Sequence, residues 1–99
     1  MVFEMAQLEI KPGTEAAFEK GVTQALPIFK RARGCQGVKL LKSVEQPLHY
    51  TLMVTWNTLE DHTVHFRQSA DFQEWRRLVG EFFANPPQVG HVQVAVPGF

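Results

Sequence analysis

The sequence predicts an α+β fold: a four-stranded antiparallel sheet with its helices on one face. Three observations carry this. Strand-like and helix-like periodicities follow one another in the order β-α-β-β-α-β. Gly and Pro signals separate the segments. And "HYTLMVTWN" (49–57) alternates cleanly, with Tyr50, Leu52, Val54 and Trp56 on one side and Thr51, Met53 and Thr55 on the other, the pattern of a strand with two unlike faces. The 99 residues hold no repeat, low-complexity tract or linker, so residues 1–99 read as a single domain.

The first strand, "VFEMAQLEI", ends at the turn signal Pro12-Gly13. Thr14 is placed to cap a helix, with Glu15 in its first turn, where a carboxylate meets the positive end of the helix dipole. Phe18, Val22, Ala25 and Phe29 lay an apolar stripe along that helix. Pro27 is expected to kink it or weaken its last turns. Lys30, Arg31 and Arg33 crowd its C-terminal end and Gly34 supplies the stop. "GVKLLKSVE" and "HYTLMVTWN" form the second and third strands, divided at Gln46-Pro47. Thr58 with Asp61 resembles a capping box, and Ser69 a second N-cap, so the next helix comes in two pieces. Phe72, Trp75, Val79, Phe82 and Phe83 trace its stripe before Asn85-Pro86-Pro87 ends it. "GHVQVAV" is the last strand, with Val92, Val94 and Val96 sharing a face.

This order is the ferredoxin-like pattern. With even positions turned to the helices (Ala6, Leu8, Ile10, Leu52, Val54, Trp56, Val92, Val94), the odd face carries Phe3, Met5, Leu41, Met53 and Ala95 among Gln7, Ser43, Thr51 and Thr55. That face is too apolar to be left in water. A homodimer packing sheet on sheet, in the manner of a dimeric α/β barrel, is the simplest cover.

Composition narrows the function. Net charge is zero, the sequence pI is about 6.9 and no basic tract exceeds "FKRAR", so the field needed for nucleic-acid binding is missing. Cys35 is the only cysteine, which excludes an internal disulfide and suits a reducing compartment. Glu4 interrupts the one N-terminal apolar run, so no signal peptide is read and no membrane span is expected. A cytoplasmic protein is the expectation.

The chemical candidates gather in "HTVHFRQSADFQEWRRLVGEFF" (62–83). On an ordinary helix His62 and His65 would lie on one side. Asp61, His49 and His91 do not complete a metal-ligand pattern with them, so no metal is expected. His62 is expected to be solvated and His65 partly buried, or else His65 serves as a general base, a role suited to a group with pKa near 6.5. Arg67 and Arg76 either pair with Asp71 or Glu74 on the surface or clamp an anionic oxygen. Tyr50, Trp56, Phe66, Phe72, Trp75, Phe82 and Phe83 are core, or the lining of an apolar ligand pocket whose few polar groups would be Tyr50, His65 and Arg76. Cys35 follows a helix C-terminus, the wrong end of the dipole for a reactive thiolate.

"TWNTLEDHTVHFRQSADFQEW" resembles the W-x-(S/T)-x-E…S-x-x-F stretch of the antibiotic biosynthesis monooxygenase family, and the likeness extends over nearly the whole chain. It implies a ferredoxin-like subunit that dimerises through its sheets and holds a ligand between sheet and helices. Some members oxygenate aromatic phenols with O2 and neither metal nor flavin; others oxidise quinols or degrade haem. Haem-degrading members carry an Asn on the first strand, a Trp three before the helix Ser and a His four after the next Phe. Ala6, Phe66 and Arg76 stand there, so haem degradation is not expected. The resemblance therefore implies a cofactor-free monooxygenase of a small phenolic or quinol compound. The substrate would lie among Trp56, Phe66, Phe72, Trp75 and Phe83, with His62 and His91 nearby, His65 as base and Arg76 or Tyr50 on the oxyanion. A non-catalytic carrier of a small hydrophobic ligand, and an isomerase on the same scaffold, are the alternatives.

Overall fold

The computed structural model describes residues 1–99. Its elements are β1 (Val2–Glu9), α1 (Glu15–Lys30), β2 (Cys35–Lys42), β3 (His49–Trp56), a π-helical turn (Asp61–Phe66), α2 (Ala70–Val79), a short 3-10 turn (Gly80–Phe82) and β4 (Gln88–Val92). The strands lie in the order β2-β3-β1-β4, every neighbour antiparallel, which is the ferredoxin-like topology read from the sequence. The two helices cover one face.

Alternation decides what each strand buries. Ala6, Leu8 and Ile10 meet Leu52, Val54 and Trp56 under the helices, with Phe18, Phe29 and Val79 completing the core. The two helices approach closely at Gly21, where a Cβ would lie 2.8 Å from the Leu78 carbonyl oxygen. A bidentate pair from Arg31 to Asp71, both contacts 2.8 Å, ties the end of α1 to the start of α2.

The capping expectations divide. Thr58 and Asp61 exchange bonds reciprocally: the Asp61 N–H donates to Thr58 Oγ1 at 3.1 Å and the Thr58 N–H to Asp61 Oδ2 at 3.2 Å. Ser69 accepts from the Phe72 N–H at 3.2 Å. Thr14 does not cap α1; its hydroxyl turns back and donates to the Lys11 carbonyl at 2.6 Å. Pro27 does not end α1, which continues to Lys30 because Ile28 and Phe29 are held in the core.

The last strand departs most from expectation. It stops at Val92, and its pairing sets its parity: Phe3 opposes Val92 and Glu4 opposes His91. Antiparallel partners point the same way, so His91 and Val89 turn inward and Val92 turns out. Val94 and Val96, expected on the helix side, lie beyond the strand and are exposed. The outer face carries Phe3, Met5 and Met53, half-buried, with Leu41 42% and Val92 50% exposed.

Candidate functional site

Glu4 is the one charged residue on the inward side of β1, between the rows ending at Val54 and His91. It is buried, and its Oε1 receives the Trp56 Nε1–H at 3.0 Å. His62 Nε2 stands 3.3 Å from the same oxygen. The other nitrogen of His62, Nδ1, lies 2.7 Å from His91 Nε2. Glu4 Oε2 has no protein partner. The result is a chain of three titratable groups running from a buried carboxyl to a half-buried imidazole.

The π-helical turn puts His62 there. Its widened spacing shows in the Arg67 N–H, which bonds the His62 carbonyl five residues back at 3.1 Å. In so wide a turn the near neighbour of His62 on the same side is Phe66, not His65. Both point inward, and His62 lies flat on the Trp56 indole, with centroids 5.4 Å apart and planes at 13°. The capping box fixes where the turn starts. Gly34, at φ +77, fits against it: a Cβ there would come 2.0 Å from Asp61 Oδ2.

Above this chain opens a cleft of about 560 Å³, bounded by Glu4, His62, Arg67, Phe72, Arg76 and Phe83, with the 84–87 loop and Val89 closing its far side. Burial pushes the Glu4 carboxyl up to about 7, a rise opposed by the Trp56 hydrogen bond and the Arg67 charge. Burial likewise lowers His62 to about 4, helped by Arg67 and His91, and His91 is lowered by burial and then Arg67. Near neutrality both imidazoles are therefore uncharged and the carboxyl is close to its midpoint. Such a group takes up or releases a proton at little cost.

The profile of the antibiotic biosynthesis monooxygenase family matches residues 1–78. The chain belongs to this family. It is 44% identical over 93 residues to the uncharacterised protein YczJ of Bacillus subtilis, covering 94% of this chain and 98% of that one. A solved structure of a protein from Bordetella bronchiseptica, assigned to the same family, is 59% identical, with TM-score 0.94 and coverage of 96% of this chain and 97% of that one. SnoaB of Streptomyces nogalater, a cofactor-independent oxygenase, shares the fold at 16% identity and TM-score 0.79, covering 97% of this chain and 94% of that one.

In this family member the residues singled out from the sequence separate into three groups. His62, Phe72, Arg76 and Phe83 line the cleft, and His91 joins it through His62. Trp56 and Phe66, rings 5.5 Å apart, are buried in the core behind His62 and do not line the cleft as expected. His65, Tyr50 and Trp75 are not at the cleft. His65 is exposed on the outer side of the π-helical turn, the reverse of the expected burial of the two histidines, because the turn is wider than an α-helix. Tyr50 lies at the opposite end of β3 from Trp56. There its hydroxyl donates to Glu19 Oε2 at 2.6 Å, and burial followed by Glu19 pushes its pKa upward. Trp75 packs edge-on to Phe29, at 5.1 Å, in the core.

Glu4 was missed as a site residue, although its even position in an apolar strand phase was a signal. A single metal ion does not suit the three groups, since His62 stands between the others and offers each a different nitrogen. Arg67 and Arg76 pair with neither Asp71 nor Glu74, which are taken by Arg31 and Arg77. No helix is long and apolar enough to cross a membrane.

Proposed function

We propose that this chain is a cofactor-independent monooxygenase of a small phenolic or quinol-type aromatic, with Glu4 as its general base. The observation that carries the reading is a buried carboxyl, pushed by burial up to about 7, that lines a cleft walled in part by Phe72, Phe83 and Val89, with one oxygen bonded by Trp56 and 3.3 Å from His62 and the other without a hydrogen bond from the protein. The fold shared with SnoaB, a cofactor-independent oxygenase, supports the same class.

The aromatic lies between Phe72 and Phe83. Glu4 Oε2 takes the phenolic proton, and the electron-rich anion passes one electron to O2. Superoxide and the aryloxyl radical recombine into a C–O bond, giving a peroxide that is protonated. Loss of the ring C–H proton with cleavage of the O–O bond leaves a quinone carbonyl and water. ArH(OH) plus O2 thus becomes quinone plus H2O, with the substrate as the only reductant. Arg67, whose charge acts on Glu4, His62 and His91 alike, stabilises the developing oxyanion. His62 and His91 hold Glu4 in place and lead its proton outward. The exposed position of His65 makes it a poor candidate for the base expected from the sequence.

The reading extends to the assembly and compartment. The outer face of Phe3, Met5, Met53, Leu41 and Val92 supports a homodimer joined through the sheets, and the unpaired Cys35 supports the reducing cytoplasm. An eluted mass equal to one chain at micromolar concentration would refute the dimer.

O2 uptake in air with a panel of anthrols and quinols tests the activity. Glu4→Gln is expected to lower the rate by about 10²- to 10⁴-fold, the usual range for a general base. Uptake in Glu4→Gln equal to that of the unmodified protein would remove the base. A proton relay also suits an isomerase; exchange of solvent hydrogen into the ligand without O2 consumption would favour that instead. Tight ligand binding with neither exchange nor O2 consumption would favour the non-catalytic carrier.

A further inference from the structure

We propose that the cleft selects aromatic ligands bearing a carboxylate, which Arg76 binds at the mouth with help from Arg67. This names the ligand class of the site proposed above. Its support is separate from the acid-base chemistry.

The support lies in how the neighbouring charges are matched. The carboxylates of α2 and the π-helical turn are already engaged, and Glu81, on the 3-10 turn, is exposed and does not line the cleft. Asp71 accepts both contacts of Arg31, Glu74 is held by Arg77, and Asp61 accepts the Thr58 N–H and faces Arg33 at 3.6 Å. Arg67 and Arg76 line the cleft without any such partner. The Arg76 guanidinium lies over the Phe72 ring, 5.9 Å from its centroid, so a ring holds it beside the opening rather than a counter-ion. Glu9, the carboxylate next along β1 on the other side of the 84–87 loop, accepts the Asn85 amide at 2.8 Å. The acidic group left in the cleft is Glu4, buried beneath and close to half-neutralised at pH 7.

Two exposed guanidiniums on one rim of the cleft set up a positive field at its mouth, which salt screens. A guanidinium recognises a carboxylate with two parallel N–H bonds, and the flat Arg76 head is free to make them. An aromatic acid satisfies both features of the site: its ring fills the space between Phe72 and Phe83 while its carboxylate stays at the mouth. A neutral ring of the same size leaves the guanidiniums in water and gains only the apolar part.

Equilibrium dialysis under argon, with a hydroxynaphthoate and its methyl ester, tests this without turnover. The acid is expected to bind about tenfold tighter than the ester, as charged hydrogen bonds at an open site give. The preference should shrink as salt is raised. Arg76→Gln should abolish most of it, and Arg67→Gln part. Arg77→Gln, which removes a cation already held by Glu74 and away from the cleft, should leave it intact. Equal binding of acid and ester, no binding of the acid, or a preference that survives in Arg67→Gln/Arg76→Gln would overturn the proposal. The oxygenase reading stands or falls apart from this. A preference for the acid without O2 uptake in air would leave the anion site standing and remove the oxygenase. Uptake with neutral phenols and no preference would do the opposite.

Discussion

Glu4 Oε1 and His62 Nε2 stand 3.3 Å apart, and burial drives the two groups toward the same uncharged state from opposite sides. The carboxyl is raised to about 7 and the imidazole lowered to about 4. Their contact is therefore not an ion pair: between about pH 4 and 7 both groups are uncharged, and above that a carboxylate faces a neutral imidazole. A buried ion pair would have to overcome the desolvation of two charges.

Stability against pH should show this. Glu4 binds its proton more tightly folded than unfolded, so its contribution is present below pH 4.5 and is lost as pH rises through about 7. His62 binds its proton less tightly folded, so its contribution is present above pH 6.5 and is lost as pH falls through about 4. The two offset each other, and Arg67, Trp56 and His91, which face them, stay constant between variants. With the opposing group removed, the curve of Glu4→Gln should rise as pH goes from about 4 to 6.5, where His62 titrates, and that of His62→Gln should fall from about 4.5 to 7, where Glu4 titrates, while the unmodified protein stays flatter. Each change should reach about 3 kcal/mol at most. Urea unfolding at half-unit pH steps measures both. Parallel curves for all three proteins would refute the coupling.

Trp56→Phe keeps the ring over His62 but removes the Nε1–H that Glu4 Oε1 accepts. That bond favours the ionised carboxylate, so the carboxyl should titrate above about 7 in the variant. The acid limb of O2 uptake should move to higher pH with it. A limb left in place would mean that Glu4 does not set it.

Gly34→Ala should be costly for two reasons. The residue sits at φ +77, and its Cβ would fall on the Asp61 carboxylate at 2.0 Å. The capping box would open and the π-helical turn would lose its anchor, a loss of about 2–4 kcal/mol in line with buried strain and cap removal. Because His62 rides on that turn, ligand binding should fall as well. Thermal melting and dialysis on the same sample check both.

Gly21→Ala separates stability from the site. Alanine would improve α1 by about 1 kcal/mol on propensity alone. Its Cβ would meet the Leu78 carbonyl oxygen at 2.8 Å, and a backbone atom has no rotamer by which to retreat. A net loss of about 1–3 kcal/mol is expected, as for other overpacked contacts, with ligand affinity at sub-denaturing temperature unchanged. A gain in melting temperature would show that the helices part easily.

The fold was legible because its signals are local. Alternation in "HYTLMVTWN", the Thr58–Asp61 box and the Ser69 cap each depend on residues a few positions apart, and the structure has all three. The site was only partly legible. The inward turn of His62 depends on a π-helical spacing that an α-helical count does not anticipate. The inward turn of His91 depends on pairing with Glu4, a residue at the other end of the chain. Tyr50 matched a pocket residue in type, but its place at the far end of β3 gave its hydroxyl to Glu19. Glu4 was visible as a charge in an apolar phase, and parity alone would have turned it inward.

β1 is a wall with a tenant on each side. Glu4 hangs beneath it at the cleft, while Phe3 and Met5 stand on its back, a single backbone step away in either direction. Sliding this segment by one position would send the carboxyl out among the apolar side chains and bring a phenyl or thioether in over Trp56. Whatever grips the rear of the sheet therefore also helps aim the acid at the front, and the two surfaces are not free to drift apart in sequence.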